Sequence, residues 1–276
     1  MRDTHDVKDR NSSRAASLIF TLYGDFGAAC GGRLWVGSVV ALMAEFGIAE
    51  QTVRQALSRM VAQAWLSRSR ENGRACYGLT ERGAQRIAQI APRIYEAAAE
   101  WDGRWRVVIY NIPERDRGRR DRLRKDLTLL GLAPLSTAVW ISPRDVRAEI
   151  LALARERTLA GGVQLFVGDY EGPLSDRALL ERCWDLGAIA AAYRDFVAFY
   201  NERRERERQL AALTDREAFV ERLKLVQRFR TFLYIDPGLP SALLPAHWPG
   251  SIASALFRNY YALLSTKALR FFRGRC

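Results

Sequence analysis

The sequence predicts an α+β chain in three parts, and three observations carry that prediction. Three short amphipathic segments follow one another closely from Arg14 and lead into an Asn-Gly hairpin. A β, α, β, β, α, β order runs from Trp105 to Gly168, and beyond Ser175 the apolar spacing turns helical. The first pattern is that of a winged helix-turn-helix, the second that of a ferredoxin-like fold, and the third that of a mainly α-helical domain. The changes of pattern place the boundaries at 1–100, 101–174 and 175–276.

Leu18, Leu22 and Phe26, with Ile19 and Tyr23 beside them, make Arg14 to Phe26 a first helix with one buried face. The glycines Gly24, Gly27, Gly31 and Gly32 close it. Val36, Val40 and Met43 mark a second short helix that Gly47 is placed to stop. In Ala49 to Trp65, Val53, Leu57, Met60 and Val61 line one face of a third helix, and polar residues line the other. Leu66 to Glu71 and Arg74 to Leu79 flank Asn72-Gly73, whose tolerance of positive φ makes a two-residue hairpin. Thr80 then caps a helix from Glu81 to Tyr95.

Two short helices joined by a tight turn, the second with hydrogen-bonding side chains outward, can present that second helix to a DNA major groove. Arg and Gln read base edges bidentately, and Thr and Ser bond bases or phosphates. The expected DNA-binding set is therefore Gln51, Thr52, Arg54, Gln55, Ser58 and Arg59 on the third helix. On the wing it is Arg68, Arg70 and Arg74, long cations suited to phosphates or a minor groove. From Ala49 to Tyr95 eight Arg face three Glu, so the basic excess concentrates on this segment.

In the second part Trp105 to Tyr110 is a β-prone run ended by Asn111-Ile112-Pro113. Leu123, Leu127 and Leu130 stripe a densely charged helix capped by Gly131, and Thr137 to Ile141 is a strand. Ser142-Pro143 is placed to cap the next helix, with Val146, Ile150 and Leu153, before a last strand at Val163, Leu165 and Val167. In the third part Ile189, Tyr193, Phe196 and Tyr200 share a helical face, leading into the charged turn or helix end Asn201 to Arg208. Thr214 and Glu217 match a capping box before a helix carrying Phe219, Leu223, Val226 and Leu233. Pro237, Pro240, Pro245 and Pro249 break the chain before a final helix from about Ser251 to Phe271.

Over 276 residues, 43 Lys and Arg against 31 Asp and Glu leave a formal charge of +12, which favours a polyanionic partner. A hydrophobic fraction of 49% excludes a disordered basic tail. Cys30, Cys76, Cys183 and Cys276 form no C-x-x-C pair, which argues against zinc or a disulfide framework and for reduced thiols. The apolar run Ala15 to Tyr23 is too short to span a bilayer and lacks the flanks of a signal peptide, so the expected location is the cytoplasm, without membrane contact.

Three runs of residues resemble the PaaX repressors of phenylacetate catabolic operons, a likeness that covers almost the whole chain. They are Gln51-Thr52-Val53-Arg54-Gln55-Ala56-Leu57-Ser58-Arg59, then Trp101-Asp102-Gly103-Arg104-Trp105, then Asp236-Pro237-Gly238-Leu239-Pro240 with Leu244-Pro245 and Trp248-Pro249-Gly250. The first is shared with GntR-like winged helices, so the later two discriminate. The resemblance implies a repressor that binds a palindromic double-stranded operator as a homodimer. It also implies release by an aryl-CoA thioester, phenylacetyl-CoA in the type case, and a middle domain similar to the ferredoxin-like nuclease of CRISPR adaptation. No cofactor is implied. A CoA thioester calls for cations beside an aromatic-lined cleft where domains meet. Arg104, Arg106, Arg228 and Arg230, near Trp105, Tyr110, Tyr234 and Trp248, are the effector-site candidates.

Two other classes compete. A metal-dependent nuclease calls for a carboxylate just after the first middle strand, where Asn111 stands. A Ser-His-acid hydrolase needs a histidine base, and only His5, in a charged terminus, and His247, between prolines, are present; no catalytic or metal set emerges. An architectural or RNA-binding protein would use the charge without sequence preference or effector.

Overall fold

The computed structural model describes residues 3–96, 100–156, 162–204 and 212–276. It mixes helices with two small antiparallel sheets, and the chain divides into two compact units. The first comprises Met1–Glu96, Phe199–Thr231 and Ser254–Cys276, the second Ala97–Ala198 and Phe232–Ala253. Residues 175–276 thus contribute to both units. Among the described residues no helix is long and apolar enough to cross a membrane.

The first unit opens with α1 (Asp3–Phe26), which begins eleven residues before the expected start at Arg14. The apolar stripe starts at Ala15, and periodicity cannot detect a polar extension ahead of it. A 3-10 turn, Gly27–Cys30, leads to β1 (Arg33–Trp35), a strand too short to leave a pattern. Then come α2 (Val36–Ala44), α3 (Glu50–Ala62), β2 (Leu66–Glu71), β3 (Arg74–Leu79) and α4 (Glu81–Tyr95). The sheet order is β1-β3-β2, all antiparallel, with Glu71 opposite Arg74 across the two-residue turn. Asn72 and Gly73 both take positive φ, 50° and 77°, as a hairpin turn with right-handed strand twist requires. Thr80 caps α4 by accepting from the Gly83 amide.

Gly83 is there because nothing larger fits: a Cβ would sit 2.4 Å from the Trp65 carbonyl oxygen and 3.1 Å from Leu79 Cδ2. Alanine in a helix ordinarily stabilises by up to about 1 kcal/mol over glycine. Here we expect Gly83→Ala to destabilise by about 1–3 kcal/mol through overpacking. Urea unfolding checks this, and a raised midpoint would contradict the close approach.

The second unit holds β4 (Trp105–Tyr110), α5 (Arg117–Leu129), β5 (Ala133–Pro134), β6 (Val139–Ser142), α6 (Arg147–Glu156) and β7 (Val163–Gly168). Its sheet order is β5-β6-β4-β7, each neighbour antiparallel. Val108, Tyr110 and Trp140 on one face pack with Leu123, Leu127 and Ile150. Trp105 and Ile141 pack with Leu180, Trp184 and Leu239. The helix cap expected at Ser142 is corrected: α6 starts at Arg147, whose amide donates to Asp145, and Ser142 Oγ accepts instead from the Arg144 amide. Both are short-range side-chain turns, which compete for the same role.

Later helices are α7 (Asp176–Cys183), α8 (Leu186–Arg204), α9 (Asp215–Phe229), α10 (Phe232–Ile235) and α11 (Pro249–Arg273). Of the charged run Asn201 to Arg208, the part through Arg204 ends α8, and the rest lies outside the described residues. The Thr214–Glu217 capping box is present, both partners engaged. The helix expected to continue through Leu233 stops at Phe229, and Leu233 lies in α10. Pro249 opens α11, fitting a first-turn position where no amide is needed. The reading of four separate thiols is also corrected, because Cys30 and Cys276 form a disulfide. Spacing in sequence holds no sign that the end of α11 returns to the end of α1.

Candidate nucleic-acid interface

The first unit's core fixes which face of α3 is left outward. Leu18, Leu22 and Phe26 of α1, Leu42 of α2 and Val53 and Leu57 of α3 are buried in one cluster, with Phe219, Leu223 and Phe272 behind α1. With Val53, Ala56, Leu57 and Met60 inward, helical geometry turns Gln51, Arg54, Gln55, Ser58 and Arg59 to solvent, all exposed, and leaves Thr52 half-buried. A shallow open groove runs over Glu50, Gln51, Arg54, Gln55 and Ser58. Arg54 donates to Glu50 at 2.7 Å, an exposed pair that competes weakly with a phosphate or base. The turn from α2 passes through Gly47, at φ 70°.

On the β2–β3 hairpin, Arg68, Arg70 and Arg74 are all exposed. Arg68 and Arg70 stand two residues apart on β2, opposite Tyr77 and Ala75, so they share a face of the hairpin. Glu71 is occupied by Arg33 of β1 at 2.6 Å. The base of the hairpin is tied down by Arg82, whose guanidinium lies 4.5 Å over the Trp65 ring and donates to the Gln63 carbonyl at 3.0 Å. The expected DNA set is thus brought together on one unit, as two solvent-facing rows of cations and amides on α3 and the hairpin.

The first unit also holds a buried polar centre that leaves no mark in the sequence pattern. Asp25 near the end of α1 receives two hydrogen bonds from Arg222 of α9, at 2.8 and 2.9 Å, and one from Tyr261 of α11 at 2.6 Å. Side-chain exposure is 0% for Asp25 and 4% for Arg222, so the pair is out of water. The guanidinium is sandwiched between Phe26 and Tyr261, 4.5 and 4.1 Å from their ring centres. Burial works against the Arg222 charge, but the Asp25 carboxylate outweighs it and holds the Arg222 pKa above its usual value. Burial first, and then Asp25, push the Tyr95 and Tyr261 hydroxyls up, so both remain protonated donors.

Between α1, α4 and α9 lies a small half-open cleft of about 20 Å³. Phe20, Ile87, Ile90 and Ile94 make its walls apolar, and Thr21 and Arg230 are its polar end. Arg230 donates to the Thr21 hydroxyl, and Thr21 donates to Gln227.

Of the eight effector candidates, Arg230, just past the end of α9, lines this cleft, and Arg228 of α9 lies 3.8 Å over the Phe199 ring. The other six belong to the second unit. Trp105, Arg106, Tyr110 and Trp248 are buried there, Tyr234 is 73% exposed, and Arg104 is exposed. Arg106 is committed to Asp102 through two 2.7 Å bonds, and this guanidinium holds the Asp102 carboxyl down to about 2. Trp105 donates to Asp176 and Tyr110 to the Thr137 carbonyl. Asn111 stands where a nuclease would place a carboxylate, its backbone N–H donating to the Gly162 carbonyl, and no cluster of three metal-binding side chains occurs among the described residues.

Three family models match the chain: PaaX-like protein over residues 14–83, PaaX protein central Cas2-like domain over 98–180, and PaaX-like protein C-terminal domain over 184–274. The chain is 33% identical over 260 residues to the transcriptional repressor PaaX of Escherichia coli (strain K12), covering 92% of this chain and 82% of that protein. Among solved structures it is similar to an uncharacterized protein from Mycobacterium tuberculosis, with a TM-score of 0.55 and 24% identity, covering 87% of this chain and 92% of that one. That likeness concerns the fold.

Proposed function

The chain belongs to the PaaX family of transcriptional repressors, regulators rather than enzymes, and from that premise we propose that it represses an aromatic-acid, specifically phenylacetate, catabolic operon. The observation that carries the reading is the solvent-facing row of Gln51, Arg54, Gln55, Ser58 and Arg59 on α3 beside the wing cations Arg68, Arg70 and Arg74. We assign residues 1–100 to a winged helix-turn-helix, supported by the placement of the hairpin directly after α3 and the sheet order β1-β3-β2. We assign 101–174 to a ferredoxin-like domain, supported by the element order and by the sheet order β5-β6-β4-β7. Residues 175–276 carry effector response and dimerisation in this reading.

The repressor binds a palindromic operator as a homodimer, so that two α3 helices meet successive major grooves. An aryl-CoA thioester such as phenylacetyl-CoA releases it. An aryl-acyl group would have to widen the apolar cleft that ends in Arg230, which as it stands has room for about one water. Release requires that the ligand favour a geometry in which the two α3 helices no longer match the grooves.

The test is binding at fixed salt to DNA from upstream of the protein's own gene and of neighbouring aromatic-catabolism genes, with and without phenylacetyl-CoA. Expected is a preference for the operator of roughly 10³-fold or more over random DNA. The thioester should abolish it, and free phenylacetate and free CoA should leave it intact. Equal binding to unrelated duplexes would transfer the reading to an architectural protein. For the wing, Arg70→Ala should weaken specific and non-specific binding alike and reduce the slope of log K against log salt by about 1. An unchanged slope would remove Arg70 from the phosphate contacts.

A further inference from the structure

Cys30 ends the 3-10 turn that joins α1 to β1, and Cys276 is the last residue of the chain. Their disulfide spans a sequence separation of 246 with Cα atoms 6.2 Å apart, within the roughly 4.4–6.8 Å that a bridge requires. Cys30 is half-buried at the margin of the core and Cys276 is exposed, so a small thiol reagent reaches the bond from solvent. The other two cysteines differ: Cys76 is buried in β3, and Cys183 is half-buried at the end of α7. Burial pushes both of those thiols up, towards the unreactive protonated form.

The chain end reaches Cys30 through contacts that do not need the bond. Phe271 and Phe272 pack against Phe219 and Phe26, with ring centres 5.2 and 5.0 Å apart. Arg270 pairs with Asp215 at 2.6 Å, and Arg275 lies 3.9 Å over the Phe271 ring and 3.8 Å from Glu45 at the end of α2. Two sulfurs brought together by independent packing, yet open to solvent, suit a bond that is made and broken rather than a permanent staple.

We propose that Cys30 and Cys276 are a reversible redox clasp, closed by exchange with a glutathione-class disulfide and opened by a dithiol, which locks the last turn of the chain onto the junction of α1, β1 and α2. To close it, the Cys276 thiolate attacks a sulfur of oxidised glutathione, forming a mixed disulfide and expelling one glutathione thiolate. The Cys30 thiolate then attacks the Cys276 sulfur and expels the second. The two protons of the protein thiols end on two glutathione molecules, so the protein loses two electrons and one oxidised glutathione gains them. Opening is the same exchange with a dithiol, which leaves as its cyclic disulfide. The clasp goes beyond the repressor reading, and its test uses no DNA.

The full chain is equilibrated with oxidised glutathione or with dithiothreitol, digested without reduction and mapped by mass spectrometry, and the same samples are melted and followed by amide hydrogen exchange. Expected is a peptide joining Cys30 to Cys276 in the oxidised sample alone, with a Tm higher by about 5–10 °C for so long a closed loop. Amides of 27–35 and 270–276 should exchange at least about fivefold more slowly when the clasp is closed. Cys276→Ser, at an exposed terminus, should abolish all three differences, whereas Cys183→Ser should keep them. The proposal is overturned if no joined peptide forms in oxidised glutathione, or if it forms and both melting and exchange match the reduced chain.

Discussion

Replacing Arg222 by alanine is expected to lower the stability of the first unit by about 3–5 kcal/mol, the cost of leaving a buried charge without its partner. Asp25 has no exposed side-chain surface, and its carboxylate takes two of its bonds from the Arg222 guanidinium. The variant also removes the plate stacked between Phe26 and Tyr261, so packing is lost along with charge. Urea or thermal unfolding measures the effect. A loss below about 1 kcal/mol would mean that water reaches Asp25, since exposed ion pairs contribute no more than that. The double variant Arg222→Met with Asp25→Asn should recover part of the loss, because a neutral pair of similar volume no longer strands a charge. Failure to recover anything would shift the weight from charge to packing.

The second large effect is expected at the DNA surface. Arg59→Ala and Gln55→Ala should each weaken operator binding by about 1–3 kcal/mol, roughly 5–150-fold, and relax the preference for one base pair each. Binding to random DNA should fall much less for Gln55→Ala, because a neutral amide neutralises no phosphate. Both side chains are exposed on α3, so the melting temperature should stay close to that of the parent chain. Titration of operator and scrambled duplexes at one salt concentration separates the two terms. If operator affinity is unchanged in both variants, α3 is not the reading helix, and the winged-helix assignment falls with it.

The exposed polar row on α3 and the hairpin cations were legible because every signal behind their placement is local. Val53, Leu57 and Met60 recur at helical spacing, and that alone turns Gln55 and Arg59 outward. Asn72-Gly73 dictates a two-residue turn through its own backbone preference, and Thr80 dictates the start of α4 through its hydroxyl. The burial and partners of the effector candidates were not legible. Trp105, Tyr110 and Trp248 are aromatics whose sequence neighbourhood resembles a ligand wall, yet each is buried, and two of them spend their polar atoms on Asp176 and Thr137. Arg106 is likewise held by Asp102, four residues earlier, a spacing that looks like any charged surface pair until its burial is known.

By itself, the sequence determined the four helices and the hairpin of the first hundred residues, the caps at Thr80 and Thr214, and the basic polar row on α3. Each of these follows from interactions within a few residues, where side-chain periodicity and turn chemistry act directly on the backbone. Only the tertiary structure decided that Asp25 meets Arg222, that Cys30 meets Cys276, that a three-residue strand at Arg33–Trp35 joins the hairpin's sheet, and that α9 and the end of α11 close the core behind α1. Those pairings join residues up to 246 positions apart. They are selected by the summed burial of many distant side chains, a quantity that no short window of sequence contains.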